Sequence, residues 1–197
     1  MKKLFVMLLL PFLGMAQSFE KKQVDLNLGL GFGNTFIRSS PSSAFPPISA
    51  SLDMGITDNI SVGGILAFTS ATWRYSGSDY CNNGNGNGNW YSYQDTYRWS
   101  YYVFGVRGAF HFAEFIQNDD LDVYAGLMLG DVYGHNSWST TSVCPDRHPY
   151  YYDQFQGGVI FSVFGGCRYR FTDKVGVFGE LGYGLTYLNL GVNFKLQ

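Results

Sequence analysis

The chain closes on 187-YLNLGVNFKLQ-197, where apolar residues alternate with polar or small ones without a break from Leu188 to Leu196. An extended strand turns successive side chains to opposite faces. Leu188, Leu190, Val192, Phe194 and Leu196 therefore share one face, and Asn189, Gly191, Asn193 and Lys195 share the other. A barrel in water and a barrel in lipid alternate alike, so the stretch predicts a strand without saying which face meets which solvent. The remainder of the chain decides that.

The first residues fix a compartment. In MKKLFVMLLLPFLGMAQ two lysines precede an apolar run from Leu4 to Leu13, and small residues follow up to Ala16. That is the order of a secretory signal peptide, with cleavage expected after Ala16. The run is too short for a membrane-spanning helix. Residues 1–16 are thus read as leader and 17–197 as a single domain. Removing Lys2 and Lys3 leaves 11 basic residues against 15 acidic ones, a balance that gives no reason to expect a nucleic-acid partner.

Aromatic residues make up 18% of the chain and charged residues only 14%, with 25 glycines and 15 tyrosines. Soluble domains carry about 25% charged residues. Mean hydropathy is nevertheless −0.06, far from that of a helical membrane protein. Many aromatics, much glycine and little charge at neutral hydropathy suit a β-protein whose apolar surface is large but interleaved with polar positions.

Eight strands can be read. The first covers about 23–34 and the second 48–56; TDN (57–59) turns into a third over 60–75. SGSDYCNNGNGNGNW (76–90) is expected to be a long flexible loop. The fourth strand runs over 91–112 and the fifth over 121–134, before a second long loop from His135 to Asp153. The sixth covers 155–171, and TDK (172–174) turns into the seventh, 175–183, ahead of the closing strand. The four connections at one end are mostly long, while the three at the other are shorter and two of them tight. An even number of antiparallel strands with that asymmetry, each near the ~9–11 residues a tilted strand needs to cross a bilayer, predicts an all-β, eight-stranded, up-and-down transmembrane barrel.

The polar parity supports lipid outside. It holds mainly Gly, Ser and Asn with a few charges, which suits the narrow lumen of an eight-stranded barrel better than a surface in water. Counted from the tight-turn end, Asp53, Arg107, Arg168 and Glu180 are expected to meet inside as one layer of two acids and two bases. Asp25, Lys195 and Arg170 would form a second layer nearer the rim, with Lys195 beside Asp25. Buried charges need such partners. Phe110, Phe112, Tyr169 and Phe171 are expected as one aromatic girdle. Tyr97, Trp99, Tyr151 and Phe155, with Trp73, Tyr75, Trp90, Tyr91, Trp138 and Tyr183 nearby, are expected as the other. Tyr124, Phe164 and Phe178 point inward and should block the lumen.

The leader, the first strand VDLNLGLGFGN (24–34) and the closing FGELGYGLTYLNLGVNFKL (178–196) resemble the small eight-stranded OmpA/OmpX-type outer-membrane β-barrel family, in particular its barrel-only members from Bacteroidetes-like bacteria. The resemblance spans the mature chain and rests on strand patterns, not on a catalytic signature. It implies residence in the outer membrane of a Gram-negative cell, contact with membrane lipid and lipopolysaccharide, and insertion by the barrel-assembly machinery. Many members end on an aromatic residue; here that signal would fall to Phe194 or Leu196. Fold resemblance implies little about activity.

Few residues carry a chemistry of their own. Cys81 and Cys144 sit in the two long loops at one end, either bonded to each other or as separate thiols. Cys167 lies on the lipid parity as a small filler. His135, Cys144 and His148 have no metal-site spacing, so no metal or cofactor is expected. NNGNGNGN (82–89) lacks the lysine and following helix of a phosphate loop, and GLGFGN (29–34) lies within a strand, so neither predicts a nucleotide site. His135 and Ser137 are similar to the His-x-Ser pair of outer-membrane lipid A deacylases; Ser137 would be nucleophile, His135 base, and Asp146 or Asp153 the acid. Against that enzymatic alternative, and a small porin as another, the main expectation is a structural or surface-binding, adhesive barrel acting through its Tyr-, Trp- and Asn-rich loops.

Overall fold

The computed structural model describes residues 19–33, 37, 41–82, 88–112, 115, 116, 118, 120–144 and 156–197. The expected leader and its cleavage site lie outside these residues. Eight strands are present: β1 (Val24–Phe32), β2 (Ser43–Gly55), β3 (Ile60–Asn82), β4 (Gly88–His111), β5 (Leu121–Thr140), β6 (Gly157–Arg170), β7 (Val175–Tyr183) and β8 (Leu188–Lys195). Each pairs antiparallel with its chain neighbours, and β8 pairs with β1 from Asp25↔Lys195 to Phe32↔Leu188. The sheet is therefore a closed barrel in strand order. Among the described residues, no helix is long and apolar enough to cross a membrane.

Local chemistry sets the ends of the strands. At both tight turns a threonine hydroxyl accepts from the backbone two residues on: Thr57 from Asn59 N–H and Thr172 from Lys174 N–H. β2 carries Pro46 and Pro47, which have no N–H to give a ladder, and the β2–β3 register shifts between Phe45 and Ile48 to accommodate them.

The strands β3, β4 and β5 are longer than their sequence suggests. The stretch expected as a loop over 76–90 is instead mostly hairpin, paired out to Asn82↔Gly88, and β5 continues through His135 to Thr140. Cross-strand aromatics explain the difference. Tyr93 lies opposite Gly77 and covers its bare backbone, while Tyr80 packs on Trp90 with ring centroids 5.5 Å apart. Glycine and asparagine signal a loop only when no aromatic partner faces them.

The alternation separates two environments. Asn27, Ser51, Arg107, Tyr124, Arg168, Glu180 and Asn193 are buried in the lumen. On the opposite parity of the same strands, Leu28, Leu52, Val106, Leu127, Leu181 and Val192 point outward and are 40–68% exposed. In register these outward residues form one belt: Leu28 beside Val192, Leu66 beside Phe104, and Leu129 beside Val106 and Phe161. A soluble monomer seldom exposes an apolar patch beyond a few hundred Å². A belt around the whole barrel is the surface of a transmembrane barrel, whose paired backbone leaves no polar group to lipid.

If the belt is in hydrocarbon, Leu190→Arg should cost about 2–4 kcal/mol in reversible urea unfolding from phospholipid vesicles. A residue 45% exposed to water would show almost no cost.

Candidate functional site

The lumen has two storeys of opposite character. In the lower one, near the tight turns, arginines brace strands across the barrel. Arg107 on β4 places Nε 3.4 Å from Asp53 on β2 and Nη2 2.5 Å from Glu180 on β7. Its guanidinium also lies 4.2 Å from the Phe164 ring centre. Glu180 accepts further hydrogen bonds from Tyr124 Oη at 3.0 Å and Asn189 Nδ2 at 3.4 Å. Both carboxylates thus share one guanidinium and Glu180 has further donors, so none of the three buried ions stands unpartnered.

Arg168 belongs to a different group. Its Nη1 lies 2.8 Å from Asp25 on β1 and 3.3 Å from Asp122 on β5, and its Nη2 donates to Asn27 Oδ1 at 3.3 Å. Arg170 adds a 3.4 Å contact to the other Asp25 oxygen, and Asn193 donates to both Asp25 and Asn27. The four residues expected as one layer, Asp53, Arg107, Arg168 and Glu180, therefore fall into two contact groups joined through Asn27, whose Nδ2 donates to Asp53 Oδ2 at 2.9 Å. The physical reason is strand tilt: in a sheared barrel, equal residue counts from the rim on different strands do not mean equal heights. Lys195 also departs from expectation. It is the register partner of Asp25, yet its Nζ lies 2.8 Å from Glu20 at the rim, because Asp25 is already held from inside.

Sequence reasoning missed His111, Asp122, Asn27 and Asn193 as parts of this network. The parity could have found two of them, since His111 follows Arg107 by four residues and Asp122 precedes Tyr124 by two on the same faces. Their partners lie across the lumen, where pattern gives no distance.

The upper storey is mainly aromatic and aliphatic, with Thr69 and Asp95 also buried toward that end. Ile65, Met128, Val132, Ile160 and Leu185 pack with Trp73, Tyr97, Trp99 and Tyr101, and Ile37 and Trp138 lie against them. Trp73, Tyr97 and Trp99 are therefore inside, not in the girdle expected of them; on β4, Tyr97 and Trp99 share the inward parity of Arg107. The outward aromatics at that level are Tyr102, Tyr133, Tyr183 and Tyr187, all at least 49% exposed. At the opposite rim Phe110, Phe112, Tyr169 and Phe171 do face outward, in edge-on pairs. Tyr151 and Phe155 lie outside the described residues. Between the storeys, a cavity of about 30 Å³ beside Arg107, Glu180 and Phe164 has room for roughly one water molecule.

Above the barrel, among the described residues, three strands run on past the ends of their neighbours' ladders. The β2–β3 ladder ends at Ser43↔Thr72 and the β5–β6 ladder at Tyr133↔Gly157. The β3–β4 pairing runs on to Asn82↔Gly88 and β4–β5 to Asp95↔Thr140, extended by bonds between Gln94 and Thr141. A disulfide joins Cys81 near the hairpin tip to Cys144 beyond β5. This arm presents Trp90, Tyr80 and Tyr91 at 71%, 56% and 42% exposure.

His135 and Ser137 lie on the exposed outward face of the arm, opposite Ser100 and Arg98 in the β4–β5 ladder. Among the described residues neither makes a side-chain hydrogen bond, and Asp146, Asp153 and His148 lie outside them. Cys144 is bonded, so it offers no thiolate, and no group of three metal-ligating side chains is present among the described residues. Cys167 is exposed on the outer face between Val123 and Gly179.

No protein-family model matches the chain, and no curated protein matches it. Similar solved structures exist. A de novo designed transmembrane β-barrel shares 10% identity over 90% of this chain and 98% of its own, with a TM-score of 0.47. The N-terminal β-barrel domain of Pseudomonas aeruginosa OprF shares 13% over 88% and 97%, with a TM-score of 0.44. Ail, the attachment invasion locus protein of Yersinia pestis, solved with the heparin analogue sucrose octasulfate, shares 9% over 87% and 92%, also at 0.44. At such identities and scores these likenesses carry nothing about activity.

Removing the central brace should be expensive. Arg107→Met leaves Asp53 and Glu180 buried without their cation and should cost about 3–5 kcal/mol in the same urea unfolding. Glu180→Gln, which keeps a hydrogen-bonding side chain of the same shape, should cost less than Arg107→Met. The reverse order would mean that the pairs do not hold the lower storey together.

Proposed function

We propose that the chain is an integral outer-membrane β-barrel of a Gram-negative cell, a closed anchor that presents its arm on the cell surface as a binding or adhesive element. The observation that carries this reading is the arm itself. A barrel needs no strand beyond the hydrocarbon, yet β3, β4 and β5 run on as a disulfide-tied sheet bearing exposed tryptophan and tyrosine. Rigid aromatic side chains give large contact area at low entropic cost, which suits a recognition surface. The mainly apolar upper storey and the ion-paired lower one argue against a porin, because neither offers a continuous wet path. The partners of this reading are membrane lipid and lipopolysaccharide around the belt, the barrel-assembly machinery during insertion, and a surface ligand at the arm.

The lipid A deacylase alternative is disfavoured by the placement of His135 and Ser137. Both sit at the height of the arm, beyond the Tyr102↔Tyr133 pair, and among the described residues no hydrogen bond joins them.

The test compares the detergent-solubilised barrel with one in which residues 77–93 are replaced by Asn-Gly, which keeps Ser76 opposite Gln94, and Cys144 by serine. Both are applied to arrays of glycans and extracellular-matrix proteins. The reading expects at least one probe bound by the intact barrel and weakened on the order of tenfold or more without the arm. Equal binding by both proteins, or none by either, contradicts it.

A further inference from the structure

At the lower mouth, three side chains that no part of the proposed function uses stand in a row. His111 Nδ1 lies 2.9 and 3.0 Å from the two Asp122 carboxylate oxygens, and its Nε2 lies 2.9 Å from Ser61 Oγ. All three residues are at most 2% exposed. A carboxylate only accepts, so Nδ1 carries a proton and donates it; in the neutral imidazole Nε2 then accepts from the Ser61 hydroxyl. Asp122 is fixed from behind by Arg168 Nη1 at 3.3 Å. Serine, a base and an acid that orients the base are the parts of an activated nucleophile, recognised by geometry and not by sequence order.

The row is covered. Phe19 is completely buried and stacks on the His111 ring, with centroids 3.6 Å apart and planes 2° from parallel. Phe19 precedes β1 on the segment that crosses the mouth, held by Lys22 N–H on the Gly55 carbonyl and Lys21 N–H on Asp58. Glu20 on the same segment pairs with Lys195 Nζ at 2.8 Å, so the segment is held from both β2 and β8. None of these contacts belongs to the β1–β2 or β1–β8 ladders, so a displacement that breaks them uncovers His111 without opening the barrel.

We propose that Ser61 is a latent modification site, acylated or phosphonylated by small activated esters when Phe19 swings away. Ser61 Oγ forms the bond to the electrophilic carbon or phosphorus while its proton passes to His111 Nε2. The bond to the leaving group breaks, and the leaving group departs with that proton. Ser61 stands in ladders on both sides, opposite Gly55 and Ala109, so its neighbouring amides are committed and supply no oxyanion hole. The adduct therefore forms once and persists, which distinguishes this site from a turnover hydrolase.

The probe is an alkyl fluorophosphonate, whose P–F bond breaks with loss of fluoride, applied to the purified barrel in detergent and read by peptide mass spectrometry. The result expected is one adduct at Ser61, at a rate on the order of a hundredfold above any other serine. Phe19→Ala should speed it, and Ser61→Ala should abolish it while keeping the heat-dependent gel shift of a folded barrel. No adduct at Ser61 in folded Phe19→Ala protein overturns the proposal. An equal rate with and without Phe19 overturns its role as cover. Failure of either kind leaves the reading of the arm untouched, since the two sites lie at opposite ends.

Discussion

Everything in this molecule depends on the pairing of β8 with β1. A bilayer contains no water to satisfy an unpaired amide, so a sheet can cross it only when its last strand returns to its first. Eight residue pairs, from Asp25↔Lys195 to Phe32↔Leu188, make that return. Once closed, the sheet has an inside and an outside, and period-two alternation assigns each side chain to one of them. The lumen is then just wide enough to be filled by side chains.

That narrow lumen accounts for the division into storeys. In its lower part, arginines from β4 and β6 meet carboxylates from β1, β2, β5 and β7, so each cation links strands that do not all adjoin it. Toward the opposite end the same parity turns mainly apolar and aromatic. Tight glycine positions recur beside large side chains: a Cβ on Gly126 would strike the Phe164 ring, and one on Gly191 would strike both the Leu28 carbonyl and Phe178. Large and small residues thus share the interior. A filled lumen makes a firm base for the arm that β3, β4 and β5 build above it.

Much of the fold was legible in the sequence. Period-two alternation, even strand number and asymmetric loops led to a closed barrel with Leu190 and Val192 outside and Asn189 and Asn193 inside. Three things were not legible. The relative height of Arg107 and Arg168 depends on tilt, which no single strand records. The inward placement of Trp73, Tyr97 and Trp99 follows parity, but aromatic residues near a rim suggest a girdle so strongly that composition masks it. The hairpin through Gly77 and Gly88 depends on Tyr93 and Tyr80 lying across from them, and glycine-rich sequence alone reads as loop. The Ser61–His111–Asp122 row joins three strands at positions 61, 111 and 122, a spacing without any local motif.

The assignment of faces is tested most directly along β8. Single cysteines at positions 189 to 194, in protein carrying Cys167→Ser, can be spin-labelled and reconstituted into phospholipid vesicles. Collision rates with oxygen, which concentrates in lipid, then report the environment of each position. The structure calls for maxima at 190, 192 and 194 and minima at 189, 191 and 193. The opposite phase, or access of a water-soluble relaxation agent to 190 and 192, would contradict a barrel whose apolar face meets lipid.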